Sequence, residues 1–226
     1  MKYYAIIVAG GIGNRMENSI PKQFLLLGGI PVLMRSIEAF FNSELKPSII
    51  LVLHSAHIQL WKELCIRHGF KISHQIVQGG ETRFSSVKNG LKLVNNNSIT
   101  AIHDGARPIV SQSLINKCFR SAEQHGNAIP GVQSSDSIRQ LRNGTSKSLK
   151  REEIYKIQTP QVFKTEVLVN AYEQLFEPIF SDDASVVEKA GHIIHLVDGE
   201  SSNIKITYPE DLIIAESLLQ LNKKRP

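Results

Sequence analysis

Residues 3–16 of the chain are YYAIIVAGGIGNRM, and residues 21–24 are PKQF. The first six letters are apolar, aromatic or β-branched, which predicts a strand that is buried on both faces. In parallel α/β sheets, ligands bind where such a strand ends and turns toward its helix. Glycine leaves no Cβ between backbone N–H groups and a phosphate oxygen, and Arg15 and Lys22 add positive charge nearby. The segment therefore predicts a phosphate-binding loop after the first strand of an α/β fold.

Two familiar phosphate-binding loops do not match this sequence. A dinucleotide-binding G-x-G-x-x-G that starts at Gly11 would need its third glycine at Met16, and the second strand ends at His54 instead of an acidic residue. The G-x-x-x-x-G-K-[ST] pattern of the Walker A loop is absent. A tight turn without a ligand would leave the two cations behind the glycines without a role. We therefore interpret the loop as a phosphate site of another kind.

Short apolar runs alternate with helical patterns as far as residue 132. The runs are rich in isoleucine and valine, and they are Tyr3–Val8, Ser48–His54, Gln75–Gln78, Ile99–His103 and Asn127–Val132. Between them, apolar residues recur at helical spacing, for example at Ile58, Trp61, Leu64 and Cys65. This alternation predicts a mostly parallel sheet with right-handed crossovers.

Residues 134–158 interrupt this alternation, because they are polar and contain Asn143-Gly144, a hairpin signal. They predict two antiparallel strands in an arm that leaves the main body. An isolated hairpin is only marginally stable in water, so we expect a second subunit to cover it in a homodimer. After the arm the α/β pattern resumes, with helices predicted near 166–176, 183–189 and 209–221 and strands at 192–197 and 203–207.

The composition is that of an ordinary globular protein. Of the 226 residues, 42% are hydrophobic and 21% are charged, which excludes wholesale disorder. The chain is long enough for one sizeable core, so residues 1–226 are predicted to form a single domain with the arm as an excursion. No window has the run of about 18 apolar residues that a membrane helix needs, so no membrane partner is expected.

Charge and cysteine content bear on partners and compartment. Lysine and arginine number 26 against 21 acidic residues, a net charge of +5 that is mostly dispersed apart from residues 223–225. That run fits a solvated tail, and without a basic stripe or interleaved aromatic residues we expect no nucleic-acid partner. Cys65 and Cys118 are far apart and form no C-x-x-C pair, so we expect reduced thiols and a cytoplasmic protein.

Five further motifs follow the first loop along the chain. They are GGETR at 79–83, HDGARP at 103–108, TPQ at 159–161, DDAS at 182–185 and NIKIT at 203–207. Together with the first loop, they resemble the 2-C-methyl-D-erythritol 4-phosphate cytidylyltransferases of the non-mevalonate isoprenoid route, within the nucleotidyltransferases that join a sugar or polyol phosphate to a nucleoside triphosphate. The resemblance covers nearly the whole chain. It implies a Rossmann-like, mostly parallel sheet flanked by helices, with a protruding β-arm for dimerisation.

The resemblance also implies an enzyme that transfers CMP from CTP to methylerythritol phosphate and releases pyrophosphate. Two anions must meet in this reaction, so the protein has to position them and neutralise charge, and no covalent intermediate is required. Mg²⁺ is the implied cofactor, because a hard cation normally bridges phosphate oxygens. Two alternatives stay open: a ribitol-5-phosphate cytidylyltransferase, which shares the first loop and NIKIT, and a nucleotide-binding protein without catalysis.

The functional residues of the family carry over onto matching positions. The implied catalytic cations around the triphosphate are Arg15, Lys22 and Lys205. The implied nucleotide-binding residues are Ala9, Gly10, Gly11, Gly13, Gly80, Glu81, Ser86, Asp104, Gly105 and Ala106. The residues implied to contact the acceptor are Asp104, Arg107, Ser137, Arg151 and Thr159, with Arg151 reaching the neighbouring active site from the arm. Asp104 is also the implied carboxylate near the metal, directly or through water.

Several of these assignments have a structural alternative: a helix-capping or loop-stabilising role for Asp104, an ordinary place in a helical first turn for Ser86, and a solvated surface position for Arg151 and for Lys205. Two positions depart from the commoner family pattern. Gly10 stands in place of alanine, as in the ribitol-phosphate relatives, and Ser137 stands in place of threonine. The histidines show no zinc-binding spacing, and no G-x-S-x-G nucleophile motif is present. Neither zinc nor serine-hydrolase chemistry therefore competes with the implied one.

Overall fold

The computed structural model describes residues 1–11 and 21–224, with side chains as far as Leu221. Its strands are β1 Lys2–Ala9, β2 Leu26–Leu27, β3 Ile30–Pro31, β4 Ser48–Leu53, β5 Gln75–Gln78, β6 Ser98–Asp104, β7 Asn127–Gln133, β8 Ile138–Arg142, β9 Thr145–Leu149, β10 Tyr155–Ile157, β11 Gln161–Lys164 and β12 Leu196–Asp198. Its helices are α1 Val32–Phe41, α2 Ile58–Arg67, α3 Arg83–Leu91, α4 Gln112–His125, α5 Thr165–Ala171, α6 Asp183–Lys189 and α7 Pro209–Lys224. The strands predicted up to residue 132 are confirmed as β1, β4, β5, β6 and β7.

Eight of the described strands form one sheet in the order β10-β7-β11-β6-β1-β4-β5, with β12 also paired to β7. β1 lies between β6 and β4 and is parallel to both, and β5 extends the parallel part beyond β4. β11 runs antiparallel between β6 and β7. The predicted sheet, mostly parallel and flanked by helices, is confirmed.

Side chains of β1 alternate between the two faces of the sheet and divide the core in two. Ala5 and Ile7 pack with α1, α2 and α4, whereas Tyr4 and Ile6 pack with α3, α5 and α6. All four are buried, which explains why the strand is apolar at every position instead of at alternate ones. Because helices cover both faces, the edge at which the parallel strands end is left for a ligand.

β8 and β9 pair with each other in a two-stranded sheet apart from the main one. Their loop is Asn143-Gly144, and the φ angles of these residues are 49° and 75°. Two consecutive positive φ angles are what a type I′ hairpin turn requires, which explains why asparagine and glycine occupy it. Most side chains of the hairpin are exposed. That the hairpin serves as a dimerisation arm stays a prediction.

Three predictions for the second half of the chain are corrected by the structure. β10, at the end of the predicted arm 134–158, pairs antiparallel with β7 and therefore belongs to the main sheet. The strand predicted at 192–197 begins only at Leu196. Residues 203–207 are irregular and do not form the predicted strand. Their Ile206 N–H donates to the carbonyl oxygen of Ala106.

Candidate active site

The carboxyl ends of β1, β4, β5 and β6 meet at one edge of the sheet and border a cavity of about 960 Å³. Ten of the residues assigned by resemblance line it: Ala9, Gly10, Gly11, Lys22, Gly80, Glu81, Ser86, Asp104, Ala106 and Lys205. Gly13 and Arg15 lie outside the described residues. The assigned residues that do not line the cavity are Gly105, Arg107, Ser137, Arg151 and Thr159. Motifs from both ends of the chain therefore meet at one site.

Gln23 holds the first residues of the glycine loop. Its side chain is buried, and its amide nitrogen donates to the carbonyl oxygens of Ala9 at 3.0 Å and Gly11 at 3.2 Å. The next residue, Phe24, is buried near Trp61, with ring centroids 6.5 Å apart. Because Gln23 and Phe24 are anchored, the preceding residue, Lys22, is held in the lining of the cavity.

The GGETR segment forms the cavity wall at the start of α3. Thr82 and Ser85 make a capping box, in which each backbone N–H donates to the hydroxyl of the other residue, at 2.9 and 3.0 Å. Ser86 is buried, and its hydroxyl accepts the N–H of Gly80 at 3.1 Å. A Cβ on Gly80 would lie 2.3 Å from Ser85 Oγ, so a larger residue would collide with the helix start. Ser86 therefore shapes the Gly80 turn as well as lining the cavity.

Asp104 ends β6 and is surrounded by three cations. Lys205 Nζ lies 2.9 Å from Oδ2, Arg107 Nε lies 3.5 Å from Oδ2, and Arg83 Nε lies 3.6 Å from Oδ1. Burial alone would raise the pKa of Asp104, but the charges of Arg83, Lys205 and Arg107 outweigh it and hold the pKa well below its usual range. The carboxylate is therefore ionised at neutral pH and keeps these cations together at the cavity.

A buried hydrogen-bond chain fixes the loop that follows Asp104, whose N–H donates to Thr159 Oγ1 at 3.0 Å. His103 Nε2 lies 3.1 Å from the carbonyl oxygen of Arg107, which can only accept, so Nε2 carries the proton. His103 Nδ1 then accepts from the Thr159 hydroxyl at 3.0 Å. Burial lowers the pKa of His103 to about 4, so the imidazole is neutral at pH 7. Thr159 therefore orders residues 103–107 from beneath the cavity.

Thr159→Val is expected to lower the free energy of unfolding by about 2–4 kcal/mol, because it leaves the Asp104 N–H and His103 Nδ1 buried without partners. Urea denaturation followed by circular dichroism measures this loss. Thr159→Ser is the matched control, since it keeps the hydroxyl and removes one methyl group, at a cost of about 1 kcal/mol. Equal losses in the two variants would show that the hydroxyl does not hold the loop.

Arg107 and Gly105 support the cavity without lining it. Arg107 is buried, and its Nη1 donates to the carbonyl oxygen of Asn203 at 2.7 Å, which ties the HDGARP segment to NIKIT. A Cβ on Gly105 would lie 2.9 Å from Leu33 Cδ1 and 3.0 Å from the Cβ of Ala9. The absence of a side chain at Gly105 therefore lets β6 and α1 pack closely beside the first loop.

Ser137 and Arg151 lie at the hairpin and not at the cavity of the same chain. Both are exposed, and the Arg151 guanidinium contacts Glu152 Oε1 at 3.2 Å and the carbonyl oxygen of Ser135 at 3.4 Å. The role of these two residues in acceptor binding therefore stays a prediction.

Among the residues that line the cavity but were given no role from the sequence are Gln23, His54 and Arg83. A positional signal exists for each of them. His54 directly follows β4, Arg83 follows β5 by five residues, and Gln23 adjoins Lys22. Because parallel strands end at a common edge, residues just beyond β4 and β5 are expected near the glycine loop.

A family model for 2-C-methyl-D-erythritol 4-phosphate cytidylyltransferase, named IspD, matches residues 3–221. The chain belongs to the IspD family. The match begins in β1 and ends in α7, so it includes all six motifs and the whole wall of the cavity. The resemblance inferred from the motifs is confirmed.

Members of the IspD family are similar to this chain in sequence and in structure. The 2-C-methyl-D-erythritol 4-phosphate cytidylyltransferase of Bacteroides fragilis is 51% identical over 215 residues, covering 95% of this chain and 98% of that protein. The protein of the same name from Bacteroides thetaiotaomicron is 49% identical over 219 residues, covering 97% and 100%. The crystal structure of 4-diphosphocytidyl-2C-methyl-D-erythritol synthase from Anaerococcus prevotii has a TM-score of 0.83 at 29% identity, covering 97% of this chain and 96% of that one.

Helix length and hydropathy bear on whether this IspD family member contains a membrane span. Within residues 1–11 and 21–224, none of the helices is both long enough and apolar enough to cross a bilayer.

Proposed function

We propose that this protein transfers CMP from CTP to 2-C-methyl-D-erythritol 4-phosphate and releases pyrophosphate, in isoprenoid precursor biosynthesis by the non-mevalonate route. The observation that carries the proposal is the IspD family match over residues 3–221. The cavity supports it, because Lys22, Arg83 and Lys205 border a space of about 960 Å³, which suits a nucleoside triphosphate.

The lining of the cavity combines glycine-rich segments with charged side chains. Gly10, Gly11, Gly80 and Ser86 belong to the first group, and Lys22, Asp104 and Lys205 belong to the second. Cations attract phosphate groups. The proposed pose therefore has the triphosphate of CTP against the lysines and its base against Gly80 and Ser86, as the family resemblance implies.

The reaction joins two anions. A phosphate oxygen of the acceptor attacks the α-phosphorus of CTP, and the bond from that phosphorus to the oxygen bridging it to the β-phosphate breaks. Pyrophosphate leaves with the electron pair. The attacking oxygen is already an anion, so no general base is required. Lys205, which Asp104 holds at 2.9 Å, and Lys22 neutralise the charge that spreads over the α-phosphate.

Mg²⁺ is the proposed cofactor. Within the described part of the chain, no three His, Cys, Asp or Glu side chains come together as a metal site. Asp104 offers one carboxylate in the lining of the cavity, and Mg²⁺ is commonly held by one or two carboxylates together with substrate phosphates and water. This donor set fits the ion, and Asp104 would hold it directly or through water. The ion supplies further neutralisation of the phosphate charge when it is bound.

A cytoplasmic homodimer is the proposed form of the enzyme. Ser137 and Arg151 flank the hairpin and do not line the cavity of their own chain. Leu141, in the hairpin, and Tyr155, in β10, are 73% and 42% exposed. A second chain would cover this surface and receive those residues. Sedimentation that shows only monomer at the assay concentration would exclude the dimer. The free thiols of Cys65 and Cys118 fit a reducing compartment.

Pyrophosphate release from CTP tests the proposed activity. With purified protein and Mg²⁺, we expect turnover with 2-C-methyl-D-erythritol 4-phosphate, none with ribitol 5-phosphate at the same concentration, and loss of turnover in excess EDTA. Turnover with ribitol 5-phosphate alone would identify the other cytidylyltransferase. Binding of CTP without turnover on either acceptor would identify a nucleotide-binding protein without catalysis.

A further inference from the structure

Arg83 is held between two carboxylates at the wall of the cavity. Its Nη1 and Nη2 donate to Asp183 Oδ1 at 2.9 Å and to Oδ2 at 2.6 Å, which is a bidentate pair. Its Nε forms an ion pair with Asp104 Oδ1 at 3.6 Å, and Arg83 belongs to the cavity lining. Asp183 therefore holds the outer edge of the guanidinium, and Asp104 lies beside its Nε.

Asp183 is in turn held from the side away from the cavity. It is fully buried at the start of α6, and the Tyr172 hydroxyl donates to its Oδ1 at 2.6 Å. The Tyr172 ring is 1% exposed and stacks on Phe84, the residue after Arg83, with centroids 4.7 Å apart and planes 19° apart. Contacts on both the side chain and the adjoining residue therefore fix where the Arg83 guanidinium can lie.

A purely structural ion pair would explain less of this arrangement. Burying the Asp183 carboxylate carries a desolvation penalty. Apolar residues of similar volume often stabilise the folded protein as much as a buried ion pair does, or more. A structural pair also has no need of a guanidinium that lines the cavity with 29% of its side chain exposed. Because a guanidinium is planar, fixing its outer edge also fixes the direction of its Nε–H.

We propose that Arg83 binds a phosphate group through the part of its guanidinium that is exposed in the cavity, and that Asp183 and Tyr172 are positioning residues that orient it. The inference rests on the proposed function, since it assigns one more contact to the phosphates of that reaction. The phosphate belongs either to the CTP chain or to the acceptor, and the same chemistry recognises both. Asp183 acts through Arg83 and does not itself reach the cavity.

Calorimetric binding of CTP and steady-state kinetics of the variants test this inference. Asp183→Asn keeps the shape and removes the charge, and we expect kcat/KM to fall about 10- to 100-fold, since a charged hydrogen-bond pair is lost. Tyr172→Phe is expected to lower it about three- to tenfold, because one hydrogen bond to the carboxylate is removed. A rise in KM confined to CTP places the contact on the triphosphate, and a rise confined to the acceptor places it on the acceptor phosphate.

Two controls separate positioning from loss of fold. Tyr3→Phe removes the hydrogen bond from another tyrosine hydroxyl to a carboxylate, here that of Glu123. Tyr3 lies at the end of β1 opposite the cavity, so we expect the kcat and KM values of the wild type. Arg83→Lys combined with Asp183→Asn should lose no more than the worse single variant, since both act through one guanidinium. Additive losses, or a folded Asp183→Asn with wild-type constants, would overturn the inference.

The experiments also distinguish failure of this inference from misfolding of a variant and from failure of the proposed function. If Asp183→Asn does not fold, Tyr172→Phe decides, and constants equal to those of Tyr3→Phe would refute the positioning role. If the wild-type chain binds CTP without turning it over, the proposed function fails. Weaker CTP binding by Tyr172→Phe than by Tyr3→Phe would still support the contact with the triphosphate, and equal binding would contradict it.

Discussion

Lys22→Ala is expected to lower kcat/KM by roughly 10²–10³-fold while leaving the fold intact, because removal of one preorganised charge from a site of this kind has that effect. Lys22 lines the cavity, next to Gln23, which holds the first residues of the glycine loop. Packing is carried by the two residues after it, both of which are buried. The loss should therefore appear in catalysis and not in stability.

Kinetics at saturating CTP, together with thermal unfolding, measure the two parts of this expectation. Lys62→Ala is the matched control, because it deletes the same charge from an exposed position of α2 outside the cavity lining. Lys22→Arg keeps the charge with a different shape, and we expect it to recover part of the rate. If Lys22→Ala and Lys62→Ala turn over equally, Lys22 has no catalytic role.

The sequence was sufficient to predict the central sheet and the edge at which the cavity lies. The parallel strands β1 and β4 are runs of apolar residues followed by Gly10 and His54, and they are apolar throughout because helices cover both faces of the sheet. Asp104 could be placed at the cavity because it ends such a run at β6. Lys22 could be placed there because it follows the first loop closely along the chain.

The supporting contacts could not be predicted, because they join distant parts of the chain. Arg83 meets Asp183 one hundred residues later, and the Asp104 N–H meets Thr159 fifty-five residues later. A hydroxyl in a TPQ motif has no local feature that tells whether it faces the ligand or the interior. Residues 203–207 also depend on a distant contact: their sequence predicts a strand, but in the structure they are irregular and the Ile206 N–H donates to the carbonyl oxygen of Ala106, one hundred residues earlier.

For the hairpin, the local structure could be predicted from the sequence but its contacts with other molecules could not. Their polar composition predicted the excursion, and Asn143-Gly144 predicted its turn. Whether a second subunit covers the hairpin does not follow from the residues of one chain. The role of Arg151 in acceptor binding thus stays a prediction, whereas the clustering of Lys205 and Asp104 is seen directly.

Asp104→Asn is expected to lower kcat about 10²–10³-fold, because the orientation of the charges that stabilise the transition state depends on this carboxylate. In the wild type it neutralises part of the charge of Arg83, Arg107 and Lys205, and its low pKa keeps it ionised throughout the assay range. The uncharged amide leaves these cations to repel one another. It also makes the cavity more positive, so CTP affinity should not fall with kcat.

Asp198→Asn is the matched control for this change, because it removes the same charge from a side chain that is 98% exposed and paired with Lys117 at the surface. Exposed pairs of this kind contribute about 0–1 kcal/mol, so turnover and stability should stay near those of the wild type. For Asp104→Asn, urea denaturation should show a loss of about 3–5 kcal/mol, since the largely buried Asp104 carboxylate no longer compensates the charges of its cationic partners. If Asp104 also holds the metal, the Mg²⁺ concentration for half-maximal rate should rise in Asp104→Asn and not in Asp198→Asn.

Equal kcat values in Asp104→Asn and Asp198→Asn would mean that Asp104 does not orient the three cations, and the charge arrangement proposed for the site would be wrong.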